Sequence, residues 1–587
     1  MNADRLLTLY EKVAEAPDAV PRLRRFVLDL AVRGKLVSQD AGDEPASELL
    51  KRISAEKARL VKAGEIKRPK TVDPVAAGEM AFATPMGWTW SRLADIAVCL
   101  DYMRKPINGT ERDRRIEGKS GDELFPYFGA TQQQGWIDDY IFDEELVLLG
   151  EDGVPFFDPF RSKAYIISGK TWVNNHAHVF KGILISHPFL ANYLNVFDYT
   201  GRVVGATRSK LNQARAVDIP VPLPPLAEQR RIVAKVEELM ALLDRMEAAR
   251  AQREATRDRL TAASLARLTA PDADAAEFPA NARFALATLP ALTTRPDQIK
   301  PLRQTILNLA VRGKLVGQDP TDEPASELLK QIGEAKGAAK GRKGARAKGV
   351  PAATESTDTE VPLGWEPVRL EHVAVSMRYG TSIKCDYDEK HAPVLRIPNV
   401  SSGQITLDDM KYGPLSEADR EALSLEADDL LMIRSNGSLE IVGRPAVVPP
   451  EAAGMAFAGY LVRLQTLKEA INSRYVWLAL NSSAVRDQIE RPIRSAVGLK
   501  NVNLTEFGNL SFWLPPIAEQ HRIVAKVDAL MALCDRLEAA LTTTDTTRAR
   551  LLEALLHEAL DPATAAVTEA AERARPFRDR PLTLPGA

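Results

Sequence analysis

Four short stretches of the 587-residue chain carry residue types that could do chemistry. Gly169-Lys170-Thr171 has the ending of a phosphate-binding loop, but Ala164 stands five residues before Gly169, where the first glycine belongs. Asp101 with Glu117-Gly118-Lys119 has the spacing of a nuclease carboxylate-lysine set. The stretch Arg112-Asp113-Arg114-Arg115 lies between them, a polar surface segment where a buried strand should hold such residues rigid. His176 and His178 could face one metal ion, yet no Cys, Asp or Glu cluster at ligand spacing completes four ligands. Glu151-Asp152-Gly153 reads as a turn. No Asn-Pro-Pro-aromatic or Asp-Pro-Pro-aromatic tetrapeptide of the amino-methyltransferases occurs, and no glycine-rich dinucleotide fingerprint follows a strand. The residues therefore predict no catalytic, cofactor-binding or metal centre in this chain.

The elements that would position such residues are organised by a tandem repeat. Residues 23–53 recur as 302–332 with 23 of 31 positions identical at an offset of 279, and residues 223–250 recur as 514–541 with 21 of 28 identical at an offset of 291. The stretches between, 88–222 and 365–513, open alike at Pro85-Met86-Gly87-Trp88 and Pro362-Leu363-Gly364-Trp365 and then diverge. Two near-identical frames thus hold two different inserts, which suits a reader of two half-sites on a pseudo-symmetric ligand, duplex DNA above all.

The frame is helical. Ile232, Val236, Leu239, Leu243 and Met246 alternate spacings of four and three, the seam of a coiled coil, and Ile523, Val527, Leu530, Cys534 and Leu537 repeat it. Each run follows a Pro-Pro pair (Pro224-Pro225, Pro515-Pro516), carries Glu228 or Glu519 in its first turn and stops before Pro271 or Pro562. The pattern predicts helices over Ala227–Leu268 and Ala518–Leu560, able to pair antiparallel and to space the inserts. Asp43-Glu44-Pro45-Ala46-Ser47-Glu48, repeated at 322–327, predicts a turn and helix used for frame packing or for docking a partner. Lys336 to Gly349 carries six basic residues and no acid among Gly and Ala, and reads as a linker.

Composition excludes several classes. Forty-five per cent apolar and 27% charged residues describe an ordinary globular chain, too long for one core. No apolar run reaches the ~20 residues of a membrane span and no signal peptide opens the chain, so a cytoplasmic protein without membrane contact is expected. Cys99, Cys385 and Cys534 are too few and too far apart for a disulfide framework. A net charge of −2 means that any polyanion site must be a local basic patch.

Leu-Pro-Pro-(Leu/Ile)-Ala-Glu-Gln at 223–229 and 514–520, Ala-Val-Arg-Gly-Lys-Leu at 31–36 and 310–315, and Asp-Glu-Pro-Ala-Ser-Glu-Leu-Leu at 43–50 and 322–329 carry a family likeness: the chain resembles a type I restriction-modification specificity subunit over nearly its whole length. Leu149 to Gly153 with Val173 to His178 resembles one target-recognition-domain type; Arg396-Ile397-Pro398-Asn399-Val400, Arg434-Ser435-Asn436-Gly437-Ser438 and Val442-Gly443-Arg444 resemble another. The implied fold class is α+β: two α/β target-recognition domains separated by long antiparallel coiled-coil helices, as a pseudo-twofold tandem repeat. The segments are 1–87 (helical), 88–222 (first recognition domain), 223–270 (spacer helix), 271–364 (linker and second helical segment), 365–513 (second recognition domain), 514–562 (spacer helix) and 563–587 (tail). The resemblance implies double-stranded DNA, two modification subunits and restriction/translocase subunits as partners. It places S-adenosylmethionine, ATP and Mg2+ on those partners and no cofactor in this chain.

Base edges and phosphates are held by Arg, Lys, Asn and Gln in glycine-containing loops. Arg208, Ser209, Lys210, Asn212 and Gln213 meet that description in the first insert, and Arg434, Asn436, Arg444, Lys500, Asn501 and Asn503 in the second, with Asn212 and Asn503 related by the 291 offset. Two rivals stand beside this reading: a diverged DNA methyltransferase or nuclease, and a coiled-coil scaffold that binds no DNA.

Overall fold

The computed structural model describes residues 14–205, 209–269, 277–339, 362–494 and 500–560. They form two compact units, one made by the chain up to Gln252 together with the part from Thr544, the other by Arg253–Thr543. Each unit holds one insert and a part of both long helices.

Those helices span Leu226–Thr269 and Ile517–Leu560, 44 residues each, within a residue of the expected ends. At ~1.5 Å per residue each is about 66 Å long. The first part of each seam is filled by neighbours from its own unit. Ile232, Val236 and Leu243 bury against Val20, Val27 and Ala31 of the helix Ala19–Val32 and against Trp88 and Phe189. Ile523 and Val527 pack with Leu307, Ala310, Trp365 and Tyr475 in the other unit.

The repeated motifs prove to be the joints of this frame. Trp88 Nε1 donates to Glu228 Oε2 at 2.9 Å, and Trp365 Nε1 donates to Glu519 Oε2 at 2.8 Å. Gln229 Oε1 accepts from the Ser186 amide while its Nε2 donates to the Pro224 carbonyl; Gln520 does the same with Asn472 and Pro515. All four Glu and Gln side chains are buried, so each carries hydrogen bonds that burial makes obligatory. Burial pushes the Glu228 and Glu519 carboxyls up, against the donors that face them. Asp43 and Asp322 take bidentate ion pairs from Arg231 and Arg522. The Ala46 and Ala325 amides donate to Gly87 and Gly364. The Asp-Glu-Pro-Ala-Ser-Glu block therefore serves frame packing: Ala46, Leu49 and Ile53 are fully buried. Gly34, at φ +63°, ends the first frame helix, and a Cβ there would meet Pro85 Cγ at 2.4 Å.

The inserts share little sequence but one strand order. In the first, Leu146–Gly150, buried along its whole length, lies between antiparallel Ala177–Gly182 and Ala164–Ile167, with Ala97–Cys99 beyond Ala177–Gly182. In the second, Leu430–Ile433 lies between Leu461–Thr466 and Pro445–Val447, with Ala374–Tyr379 beyond Leu461–Thr466. A short antiparallel pair closes each insert where it meets the frame, Thr89–Arg92 on Pro220–Leu223 and Glu366–Arg369 on Ser511–Leu514. Around these sheets the inserts differ. The first adds a four-stranded sheet ordered Gln133–Ile137, Phe125–Phe128, Lys170–Val173, Phe142–Asp143, and the second a three-stranded sheet ordered Lys411–Gly413, Ala392–Leu395, Ala456–Phe457.

At the first junction, Arg92 is buried and gripped by Glu79 through two hydrogen bonds of 2.9 and 2.6 Å. This grip and the Ala76 amide hold the Glu79 carboxyl at about 2. A depressed carboxyl stabilises the fold above its unfolded value and loses that contribution as pH falls towards the folded one. Glu79→Gln should therefore cost roughly 1–2 kcal/mol at pH 7, the one-third exposure of the carboxylate screening the pair. Thermal melts of wild type and variant should converge between pH 4.5 and 2, and a gap that stays constant down to pH 2 would show that the pair contributes nothing.

Candidate nucleic-acid interface

In the second insert the strand Leu430–Ile433 runs directly into Arg434, whose backbone is fixed on both sides: its amide donates to Tyr460 and its carbonyl accepts from Val502. The guanidinium lies 4.2 Å over the Tyr379 ring, and its Nε donates to Asn501 Oδ1 at 3.1 Å. Stacking and one anchored edge leave the two terminal nitrogens as a preset fork, the geometry that reads guanine O6 and N7 or grips a phosphate. Gly380, next to Tyr379, allows the close approach of the 457–458 backbone, since a Cβ there would meet the Phe457 carbonyl at 2.1 Å. Arg434 and Asn501 open into a cavity of about 600 Å³ that is also lined by Arg396, Lys411, Tyr460 and Ile383. Among the described residues no carboxylate lines it. Lys411 Nζ sits 4.7 Å over the Tyr387 ring, and Arg396 is held by Asp409 at 3.1 Å. Arg434, Lys411 and Arg396, the last balanced by Asp409, converge on this concave surface and make a local basic patch on a chain of net charge −2.

Of the residues expected here, Arg434 and Asn501 are therefore brought together. Asn436 Oδ1 accepts from the Ser438 amide and its backbone pairs with Lys500, which shapes the same turn. Arg444 donates to the Ser401 carbonyl at 2.5 Å, a tether for the neighbouring loop. Asn503 caps the short helix Leu504–Gly508 by accepting from the Glu506 amide, and Asn212 caps Gln213–Val217 by accepting from the Arg215 amide. Their matching offset thus marks an equivalent helix cap. Lys411 and Tyr460 escaped the sequence reading; their signal is a cation or aromatic beside glycine, in Lys411-Tyr412-Gly413 and Gly459-Tyr460.

In the first insert Arg208 lies outside the described residues. Ser209 is half-buried, and Gln213 donates to Cys99 Sγ at 3.2 Å. Lys210 forms backbone bridges with Asp152 and Val204 and an ion pair of 3.0 Å with Glu151. Beneath it His178, 1% exposed, places Nδ1 2.6 Å from Asp101 Oδ2 and donates from Nε2 to the Leu211 carbonyl at 2.8 Å. Arg104 bridges Asp101 and Glu151 at 3.2 and 2.8 Å. The ligand atoms of Asp101, Glu151 and His178 lie within 4.8 Å of one another, as a metal site would require, but each carboxylate already has a cation against it and both His178 nitrogens are engaged. The cluster clips the Lys210 segment to the sheet. His176 goes elsewhere, to Asp152 at 2.8 Å. Lys119 pairs with Asp138 at 2.6 Å, away from the partners of Asp101, so the nuclease-like set is not assembled. Gly169, at φ +69°, is the bend by which the chain passes from Ala164–Ile167 of one sheet to Lys170–Val173 of the other, and Lys170 sits over the Tyr140 ring at 4.9 Å.

A family model described as the type I restriction modification DNA specificity domain matches residues 85–253 and 362–544, more than half of the chain. The chain belongs to this family. Each match opens at Pro-x-Gly-Trp and runs through one insert into the first part of the long helix behind it. Among the curated relatives, the specificity subunit of the type I restriction enzyme EcoEI from Escherichia coli is 30% identical over 576 residues, 92% of this chain and 94% of that one. That of EcoAI, also from Escherichia coli, is 29% identical over 563 residues with the same coverage. Among solved structures, a chain from a type I restriction-modification system matches 82% of this chain and 99% of its own length at 17% identity and a TM-score of 0.47.

Proposed function

We propose that this specificity-family chain reads DNA for a type I restriction-modification complex, each insert recognising one half of a bipartite site. The observation that carries the reading is the cationic cavity around Arg434, in which a fork stacked on Tyr379 and anchored by Asn501 points into a concave surface that no described carboxylate lines. The long helices set the gap between half-sites and dock two modification subunits, and restriction/translocase subunits complete the assembly. The chain supplies specificity rather than catalysis; S-adenosylmethionine, ATP and Mg2+ belong to the partners. The engaged Asp101–Glu151–His178 cluster and the dispersed nuclease-like residues favour this over a diverged enzyme. A scaffold would have no use for the Arg434 cavity. A cytoplasmic site of action follows from the DNA substrate, and no described helix is long and apolar enough to cross a membrane.

Arg434→Ala tests the reading. Loss of a bidentate base contact should cost ~1–3 kcal/mol and relax one base position of one half-site, whereas loss of a phosphate contact should weaken methylation at all sites alike. Methylome sequencing of a host carrying the variant distinguishes these outcomes. Full methylation of an unchanged motif would remove this cavity from the interface.

A further inference from the structure

In the first insert the segment from Asp152 to Lys163 leaves the central strand as a tip whose two phenylalanines face outward, Phe157 63% and Phe160 48% exposed, beside Arg161, also exposed. Exposed apolar side chains are common singly, but this pair is mounted rigidly. Pro155 and Pro159 restrict the backbone, and the Phe156, Asp158 and Phe160 amides donate to Val154 O, Pro155 O and Asp158 Oδ1. Phe156 and Val154 are buried, with Phe156 packed 4.9 Å from the Tyr199 ring. Lys163 spends a buried amine on the tip: only 1% exposed, it donates to the Asp158 carbonyl, while its backbone ties to Gly150 and Asn195. The base of the tip is joined to the candidate contact segment by the Asp152–Lys210 bridge.

We infer that Phe157 and Phe160 form a wedge that enters a base step of duplex DNA beside the first half-site and unstacks it. The inference rests on the DNA-reading function proposed above. Apolar side chains pushed between base pairs are an established way to kink a duplex, at a cost in stacking that further contacts offset. A protein partner fits less well, since two phenylalanines offer at most about 400 Å² where a stable protein interface takes about 800 Å² from each side. Arg161, 75% exposed and 4.0 Å from Asp158, balances that carboxylate and presents a cation towards the flanking phosphates.

The test uses the complex of this chain with its modification subunits and a duplex carrying the motif that methylome sequencing of the host reveals. 2-Aminopurine is placed in turn at positions across and beside the first half-site, leaving the methylated base unsubstituted. The wild-type complex should brighten one position several-fold. The Phe157→Ala/Phe160→Ala double variant should return that position to the free-duplex level and bind the duplex at least about tenfold more weakly, with an unchanged thermal melt and unchanged assembly with the modification subunits. Phe157→Trp should keep the signal. Binding by the wild type with no brightened position, or brightening that survives the double variant, overturns the wedge while leaving DNA reading intact. Loss of assembly in the variant overturns it in favour of a protein contact. A wild-type complex that binds no duplex removes the DNA-reading function itself.

Discussion

Exchanging residues 88–222 for the equivalent segment of another family member should replace one half of the methylated motif and leave the other half as it was. Each mismatched base pair costs about 1–3 kcal/mol, so a half-site wrong at three positions should lose methylation by a hundredfold or more. The structure says why the graft should fold. The insert closes on itself through Thr89–Arg92 and Pro220–Leu223, and it meets the frame through Trp88 on Glu228, Arg92 on Glu79, Phe189 on the long-helix seam, the Ser186 amide on Gln229, the Asn195 and Val196 carbonyls on Arg25, and a core that Leu93, Ile96 and Val98 share with Leu49, Ile53 and Leu60 of the frame. A donor that keeps the tryptophan, the arginine at 92, apolar residues at 93, 96 and 98, and an aromatic or large apolar residue at 189 with its helix should therefore dock with little repacking. Methylome sequencing of the chimera gives the outcome, and a change in both half-sites would mean that the two inserts do not read independently.

What the sequence made legible was local or repeated. The ends of the long helices follow from adjacent prolines and a heptad seam, signals contained within the segment itself, and both ends fell within a residue. The same local evidence left the purpose of Glu228 and Gln229 open, because their partners Trp88 and Ser186 lie 140 and 43 positions away. The common strand order of the inserts was hidden for another reason. A buried strand needs apolar residues and not particular ones, so two inserts can hold one topology after their identities have drifted apart. Candidate contact residues could be chosen by type but not by role: Arg434 and Asn501, chosen from separate loops, meet in one cavity, while Asn212 and Asn503, chosen by their shared offset, cap the first turns of helices. A side chain that caps a helix and one that reads a base are both small polar groups in a glycine-containing loop, and only the partner distinguishes them.

Lengthening both long helices by four residues should widen the gap in the methylated motif by one or two base pairs and leave both half-sites unchanged. Sequence alone would place the insertion near Ala255, but Arg295 grips Glu254 at 2.6 Å and Asp258 at 3.0 Å, so an insertion there would pull one clamp apart. The better position is after Gln252. Arg250 before it is held by the Ala16 carbonyl in one unit, and Glu254 after it by Arg295 in the other. A matching insertion after Thr543, where the second helix passes between the units, keeps the two in step. Four residues add ~6 Å and, at 3.6 residues per turn, a net rotation of about 40°. Two further base pairs add ~7 Å and about 70° in the same sense, and one adds about half of each. A three-residue insertion adds a similar length but turns about 60° the other way, so it should abolish methylation where the four-residue one preserves it. Absorption of the extra turn as a stutter in the seam would blunt both effects equally. If the four-residue variant methylates sites with the original gap, or the three-residue variant behaves like it, the helices do not set the spacing.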